Sequence, residues 1–188
     1  MGTRFARLLV ATAVGTLLVF QWAEARAAEQ PGLAGFWKLN AGQSDDLRAA
    51  VAAAAGPAHT QKGSKEEVDR VLVRSLLLEA ATRPDAEALQ IELTSETFKT
   101  GVGSNVRVYY FGRVHARQGQ AGDLRKATVT WDGAQIRTEE KGKDSRLEEV
   151  YLLLPGTGQL RVTLRVETKL FKKPLEARVV FDRVPSEP

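Results

Sequence analysis

The chain has 188 residues, with 27 lysines and arginines against 23 aspartates and glutamates, a formal charge of +4. It has no cysteine and two histidines, which excludes disulfides, thiolate metal sites and a lipobox anchor. His59 and His115 are remote from each other and offer no zinc spacing.

The first element is a targeting segment. Arg4 and Arg7 precede an apolar run from Leu8 to Phe20, and Ala25-Arg26-Ala27 supplies an A-x-A exit. This is the grammar of a secretory signal peptide over residues 1–27, cut after Ala27. The rival reading, an uncleaved anchor, has 13 apolar residues where a spanning helix needs about 20. The expected location is therefore the periplasm or exterior of a bacterium, with no stable membrane span after cleavage. Removing Arg4, Arg7, Arg26 and Glu24 leaves 24 basic against 22 acidic side chains. So balanced a charge does not point to nucleic acid, whose binding needs many phosphates neutralised. Residues 28–188 are sized for a single domain.

In the mature chain, Leu33 to Leu39 reads as a first strand, with Gly35, Trp37 and Leu39 on one face. Ser44 stands where an N-cap belongs, and Asp45 to Ala55 is helical by its alanines until Gly56-Pro57 stops it. Ser64-Lys65-Glu66-Glu67 is a capping box. It opens a second helix whose Val68, Val71, Leu72, Leu76 and Ala80 share a face, ending at Arg83-Pro84. A helical insertion over residues 45–83 follows from these two signals.

From Ala88 the apolar period becomes 2. Leu89, Ile91 and Leu93 alternate with polar residues, as do Val106, Val108 and Tyr110, then Val129 and Trp131. Asp132-Gly133 makes a hairpin turn into Ala134–Glu140, and Arg146–Leu154 follows. Leu160, Val162, Leu164 and Val166 form the cleanest alternation, and the last strand carries Val179 and Phe181 toward Arg183. Eight or nine strands with short connections make an antiparallel meander, and closing it removes the unpaired edges. The expected fold is mainly β, an up-and-down barrel with two helices inserted after the first strand. A two-sheet sandwich or a half-barrel wrapped on the helices is the alternative.

Gly35-Phe36-Trp37 at the head of the first strand resembles the G-x-W signature of lipocalins and the wider calycin group. In that group an arginine late in the last strand packs over the tryptophan, which implies a structural lock between Trp37 and Arg183. The helical pair is more like the lid of intracellular fatty-acid-binding proteins. Those proteins hold a carboxylate with R-x-Y in the last strand, where this chain has Arg178-Val179-Val180. The string Gly35-Phe36-Trp37-Lys38-Leu39-Asn40 with Ser44-Asp45-Asp46 also resembles a group of secreted bacterial proteins, a likeness that implies no activity.

No G-x-S-x-G elbow, cysteine nucleophile or glycine-rich phosphate loop is present, so neither enzyme nor cofactor is expected. Glu139, Glu140, Asp144, Glu148 and Glu149 read as a charged, solvent-facing hairpin that basic neighbours neutralise, without a calcium-loop pattern. Arg113, His115 and Arg117 at strand spacing could share one face and receive an anionic headgroup. Trp37, Tyr110, Trp131 and Phe181 would line an interior holding a small hydrophobic ligand, with His115 and Arg113 beside it. A barrel of this size is either filled by its own side chains or holds one such ligand. Two functions follow: a non-enzymatic exported carrier, or a structural or protein-interaction module of the cell envelope. The second would use an outer face bearing Arg107, Arg161 and Arg165.

Overall fold

A computed structural model describes residues 32–55, 88–103, 105–118, 124–169 and 171–185. Among these are ten strands in one antiparallel sheet: β1 Gly35–Leu39, β2 Leu89–Leu93, β3 Thr97–Val102, β4 Asn105–Tyr110, β5 His115–Gln118, β6 Leu124–Trp131, β7 Gln135–Lys141, β8 Ser145–Leu153, β9 Leu160–Thr168 and β10 Leu175–Arg183. The order across the sheet is β4-β3-β2-β1-β10-β9-β8-β7-β6-β5. First and last strands pair, Trp37 against Arg183 and Leu39 against Phe181, and this curls the meander into a nearly closed barrel. No backbone ladder joins β4 to β5.

The strand β3 escapes sequence periodicity because its inner face reads Phe98, Thr100, Val102, with a polar residue in the middle. Gly101 explains why the β3–β4 hairpin closes so tightly. A Cβ there would lie 2.2 Å from the Asn105 carbonyl oxygen and 2.7 Å from the Val106 Cα.

One helix is described, α1 (Leu47–Ala55), preceded by a 3-10 turn, Ala41–Gln43. The second expected helix, from Ser64 to Arg83, lies outside the described residues. The helix start departs from expectation. Asp46, not Ser44, caps α1, its carboxylate accepting the Ala49 N–H at 3.2 Å. Ser44 instead ties the chain to β10, its Oγ donating to the Asn40 carbonyl at 2.7 Å and accepting the Val180 N–H at 2.9 Å.

Among the described residues the core divides into two contiguous clusters. Trp37, Leu89, Phe98, Tyr151, Val162 and Phe181 belong to the larger, which runs through the barrel. In the smaller, Val51 and Ala54 of α1 cover Leu147, Leu164, Val166 and Leu175, so the helix seals one end of β8, β9 and β10. At the other end the Arg183 guanidinium lies 4.6 Å from the centroid of the Trp37 ring. The Trp37 indole N–H donates to the Leu33 carbonyl at 3.0 Å, and Arg183 donates to the carbonyls of Ala34 and Gly32. Trp37 and Arg183, the pair that the resemblance singles out, are thus in contact. No helix among the described residues is long and apolar enough to cross a membrane.

Candidate functional site

The inner face is apolar along β1, β2, β9, β10 and most of β6, and mixes buried polar with apolar side chains on β4, β5, β7 and β8. Alternation in β7 sends Ile136, Thr138 and Glu140 inward, and in β8 it sends Leu147, Glu149 and Tyr151 inward. Ladder pairing then stacks Thr138 beside Glu149 and Ile136 beside Tyr151. Thr100, Arg107, Thr138, Glu140 and Glu149 are all 2% exposed or less. That much polarity is unusual for a barrel lumen unless every group finds a partner.

Most find one, some across the lumen and some along the same wall, while Thr100 Oγ1 and Arg107 Nη1 make no hydrogen bond. Arg107 Nη2 donates to Glu149 Oε1 at 3.0 Å and to the Tyr151 hydroxyl at 3.3 Å, and its Nη1 lies 2.8 Å from Glu149 Oε2 as an ion pair without a hydrogen bond of its own. Tyr151 donates to Glu149 Oε2 at 2.9 Å, and Thr138 donates to the same oxygen at 3.3 Å. One register step toward the helix end, Tyr109 donates to Glu140 Oε1 at 2.7 Å. Arg117 Nη1 donates to both oxygens of Glu140, at 2.7 and 2.6 Å, and Arg125 Nη1 is 3.6 Å from Oε2. Arg117 and Arg125 face each other across the β5–β6 ladder, a like-charged pair that Glu140 makes tolerable.

Burial is the strongest single influence on the Arg107 guanidinium and pulls it down, but the Glu149 charge, the two tyrosines and the hydrogen bond to Glu149 together outweigh it and hold it well above its ordinary range. Desolvation pushes the Tyr109 and Tyr151 phenols upward, so both remain hydrogen-bond donors to the carboxylates. The network is thus two buried carboxylates, each held by arginine and capped by tyrosine.

A second link crosses at the same level. The Phe98 and Tyr151 rings meet edge to face, 5.0 Å between centroids, although β3 and β8 lie half the sheet order apart.

The residues expected to line the site are only partly brought together. Trp37 and Phe181 are buried on the inner face at the arginine-locked end, and Trp131 is half-buried against the same cluster. Tyr110 is instead 40% exposed. Strand β4 presents Arg107 and Tyr109 inward, reversing the face expected from Val106, Val108 and Tyr110. The cause is register: pairing with β3 sets Tyr109 beside Phe98, and Arg107 then reaches Glu149. For the same reason Arg107 does not join Arg161 and Arg165 on an outer face.

The Arg113–His115–Arg117 stripe also separates. Arg113 is exposed in the β4–β5 connection, while His115 and Arg117 share the inward parity of β5. His115 works at the gap between β4 and β5: its Nε2–H donates to the Val108 carbonyl at 3.0 Å, and its ring meets Tyr110 at 5.2 Å. His59 lies outside the described residues.

The expected solvent-facing acidic hairpin is split by the pleat. Glu139 and Glu148 face outward, Glu139 reaching Lys141 and Arg146, and Glu148 reaching Arg137 and Arg146. Asp144 pairs with Lys169 in the turn region. Glu140 and Glu149 go inside. Sequence reasoning missed them and Arg107. The signal was available: counting by two from Ile136 reaches Glu140, and counting by two between Leu147 and Tyr151 lands on Glu149. Among the described residues no group of three or more acidic or histidine side chains is placed to hold a metal ion.

No family model matches this chain, and no curated protein matches it in sequence. Solved structures do match in fold. The REP1-NXSQ fatty acid transporter is 19% identical, covers 82% of this chain and 98% of its own, with a TM-score of 0.51. The apo lipid binding protein 8 of Caenorhabditis elegans is 12% identical over 82% and 97%, with a TM-score of 0.52. A Schistosoma mansoni fatty acid binding protein, solved with arachidonic acid, is 14% identical over 84% and 99%, with a TM-score of 0.53. At these identities the likeness concerns architecture: this chain has the calycin-like barrel fold of the fatty-acid-binding proteins.

Proposed function

We propose that this chain is a non-enzymatic, exported carrier that takes a small amphipathic ligand into its barrel through the cell envelope of a bacterium. One observation carries the reading, the polar network inside an otherwise apolar lumen. A buried ion pair adds little stability over apolar residues of the same size, and removing one partner costs about 3–5 kcal/mol. A barrel needing only to be stable would do as well with a uniformly apolar interior. Arg107, Glu149, Glu140 and the two tyrosines are suited to a polar head, and Trp37, Leu89, Val162 and Phe181 to an apolar tail. The fold neighbours that carry fatty acids support the same reading, and the A-x-A-terminated leader supports export. Native mass spectrometry of protein purified from its own envelope, followed by lipid extraction, tests it. A bound small molecule in stoichiometric amount is expected; repeated recovery of ligand-free protein would count against a carrier.

A second reading has its own observation. The Phe98–Tyr151 contact and the Arg107–Glu149 pair both cross the lumen, as they would in a filled barrel acting as a structural or interaction module. In-cell crosslinking separates the two. A module yields one recurrent protein partner and no lipid, and a carrier yields lipid without that partner.

A further inference from the structure

Arg107 already carries its counter-charge inside the lumen. Both of its terminal nitrogens are within 3.0 Å of Glu149, which also accepts from Tyr151 and Thr138. The neighbouring carboxylate, Glu140, accepts from Tyr109 and Arg117. Both acidic groups are 1% exposed, so water screens neither from a charge brought beside it. A carboxylate head entering this region would have to displace Glu149 from Arg107, leaving a buried acid without its cation. A hydroxyl or amide head brings no charge. It can donate to a carboxylate oxygen of Glu149 or Glu140 and accept from Arg107 Nη1, which makes no hydrogen bond of its own, while the ion pair stays intact.

We propose that Glu149 neutralises Arg107 from within the chain and that the site around this pair selects an amphipathic ligand with an uncharged, hydrogen-bonding head, such as a long-chain alcohol or amide, over a fatty carboxylate. This rests on the carrier reading above and names its ligand class. Glu149 acts as a specificity-determining residue: it occupies, from within the chain, the place on Arg107 that a ligand carboxylate would otherwise take. Last-strand residues do not supply a substitute, since Arg178 is an exposed residue whose guanidinium lies 3.8 Å from Asp45 on the outside.

The test is calorimetric titration of the delipidated mature chain with oleyl alcohol, oleamide and oleate at one mildly alkaline pH. The wild type should bind the alcohol and the amide about tenfold or more tightly than oleate. Glu149→Gln should reverse that order by freeing Arg107, and Arg107→Gln combined with Glu149→Gln should restore it. Equal or tighter binding of oleate by the wild type overturns the proposal, whether or not the variants fold. So does a folded Glu149→Gln that keeps the wild-type order. If the wild type binds none of the three lipids, the carrier reading falls and this inference falls with it. Binding without the stated preference overturns the inference alone.

Discussion

Arg107 on β4 and Glu149 on β8 close to 2.8 Å across the barrel, although the strands bearing them are never ladder neighbours. Their pairing joins the two flanks of the sheet on either side of the β4–β5 gap. Replacing Arg107 alone with Met should cost about 3–5 kcal/mol, because Glu149 would stay buried without its cation. Arg107→Met with Glu149→Leu should recover most of that loss or exceed the wild type. Urea unfolding of the two single variants and the double forms the cycle. Additive losses would refute a coupled pair.

Phe98 and Tyr151 meet at the same level, both fully buried. Phe98→Ala should destabilise by about 3–5 kcal/mol through lost contacts and the space left behind. The same variant opens room in the lumen, so a carrier should tolerate a bulkier apolar tail in it. The check is chain-length dependence of binding beside the urea midpoint.

Trp37 and Arg183 clamp one barrel end through ring contact and the bonds from Arg183 to Ala34 and Gly32. Arg183→Met keeps the aliphatic stem but removes the cation and both donors. About 1 kcal/mol of stability should go, with a shift in tryptophan emission. An unchanged melting curve would mean the guanidinium is ornamental to the barrel.

Tyr109 and Tyr151 have phenols raised above the ordinary value near 10.0, burial being the first cause in both. A raised folded value means stability fully present below pH 10, then lost as pH climbs past it, since the unfolded chain releases protons that the fold retains. Phenolate absorbance should therefore show two of the three tyrosines silent until the barrel unfolds in alkali. Phe replacement at both positions should remove the delayed absorbance step.

His115 spans the unladdered gap by its bond to the Val108 carbonyl and its contacts with Tyr109 and Tyr110. His115→Ala should speed amide exchange along β4 and β5 while leaving β8 to β10 protected. Uniform acceleration over the whole sheet would instead mean that the gap is not a separately opening unit.

Much of this protein could be read from its residues in order. The change of apolar period at Ala88 foretells the meander, and the alternation in β9 and β10 identifies Val162, Val179 and Phe181 as interior. The Gly35-Phe36-Trp37 signature likewise anticipates the contact with Arg183. Those features depend on local spacing, which the chain carries at every position. The polar lumen depends on something else. Whether Val108 or Tyr109 faces inward is undecided by β4 alone, because both of its faces are partly apolar. Tertiary pairing decided it: β3 set the register, and Glu140 and Glu149 offered partners to Tyr109 and Arg107. Charged residues go inside only when the opposite charge waits there, and that condition is met by residues 42 and 23 positions away along the chain, distances that no local pattern encodes.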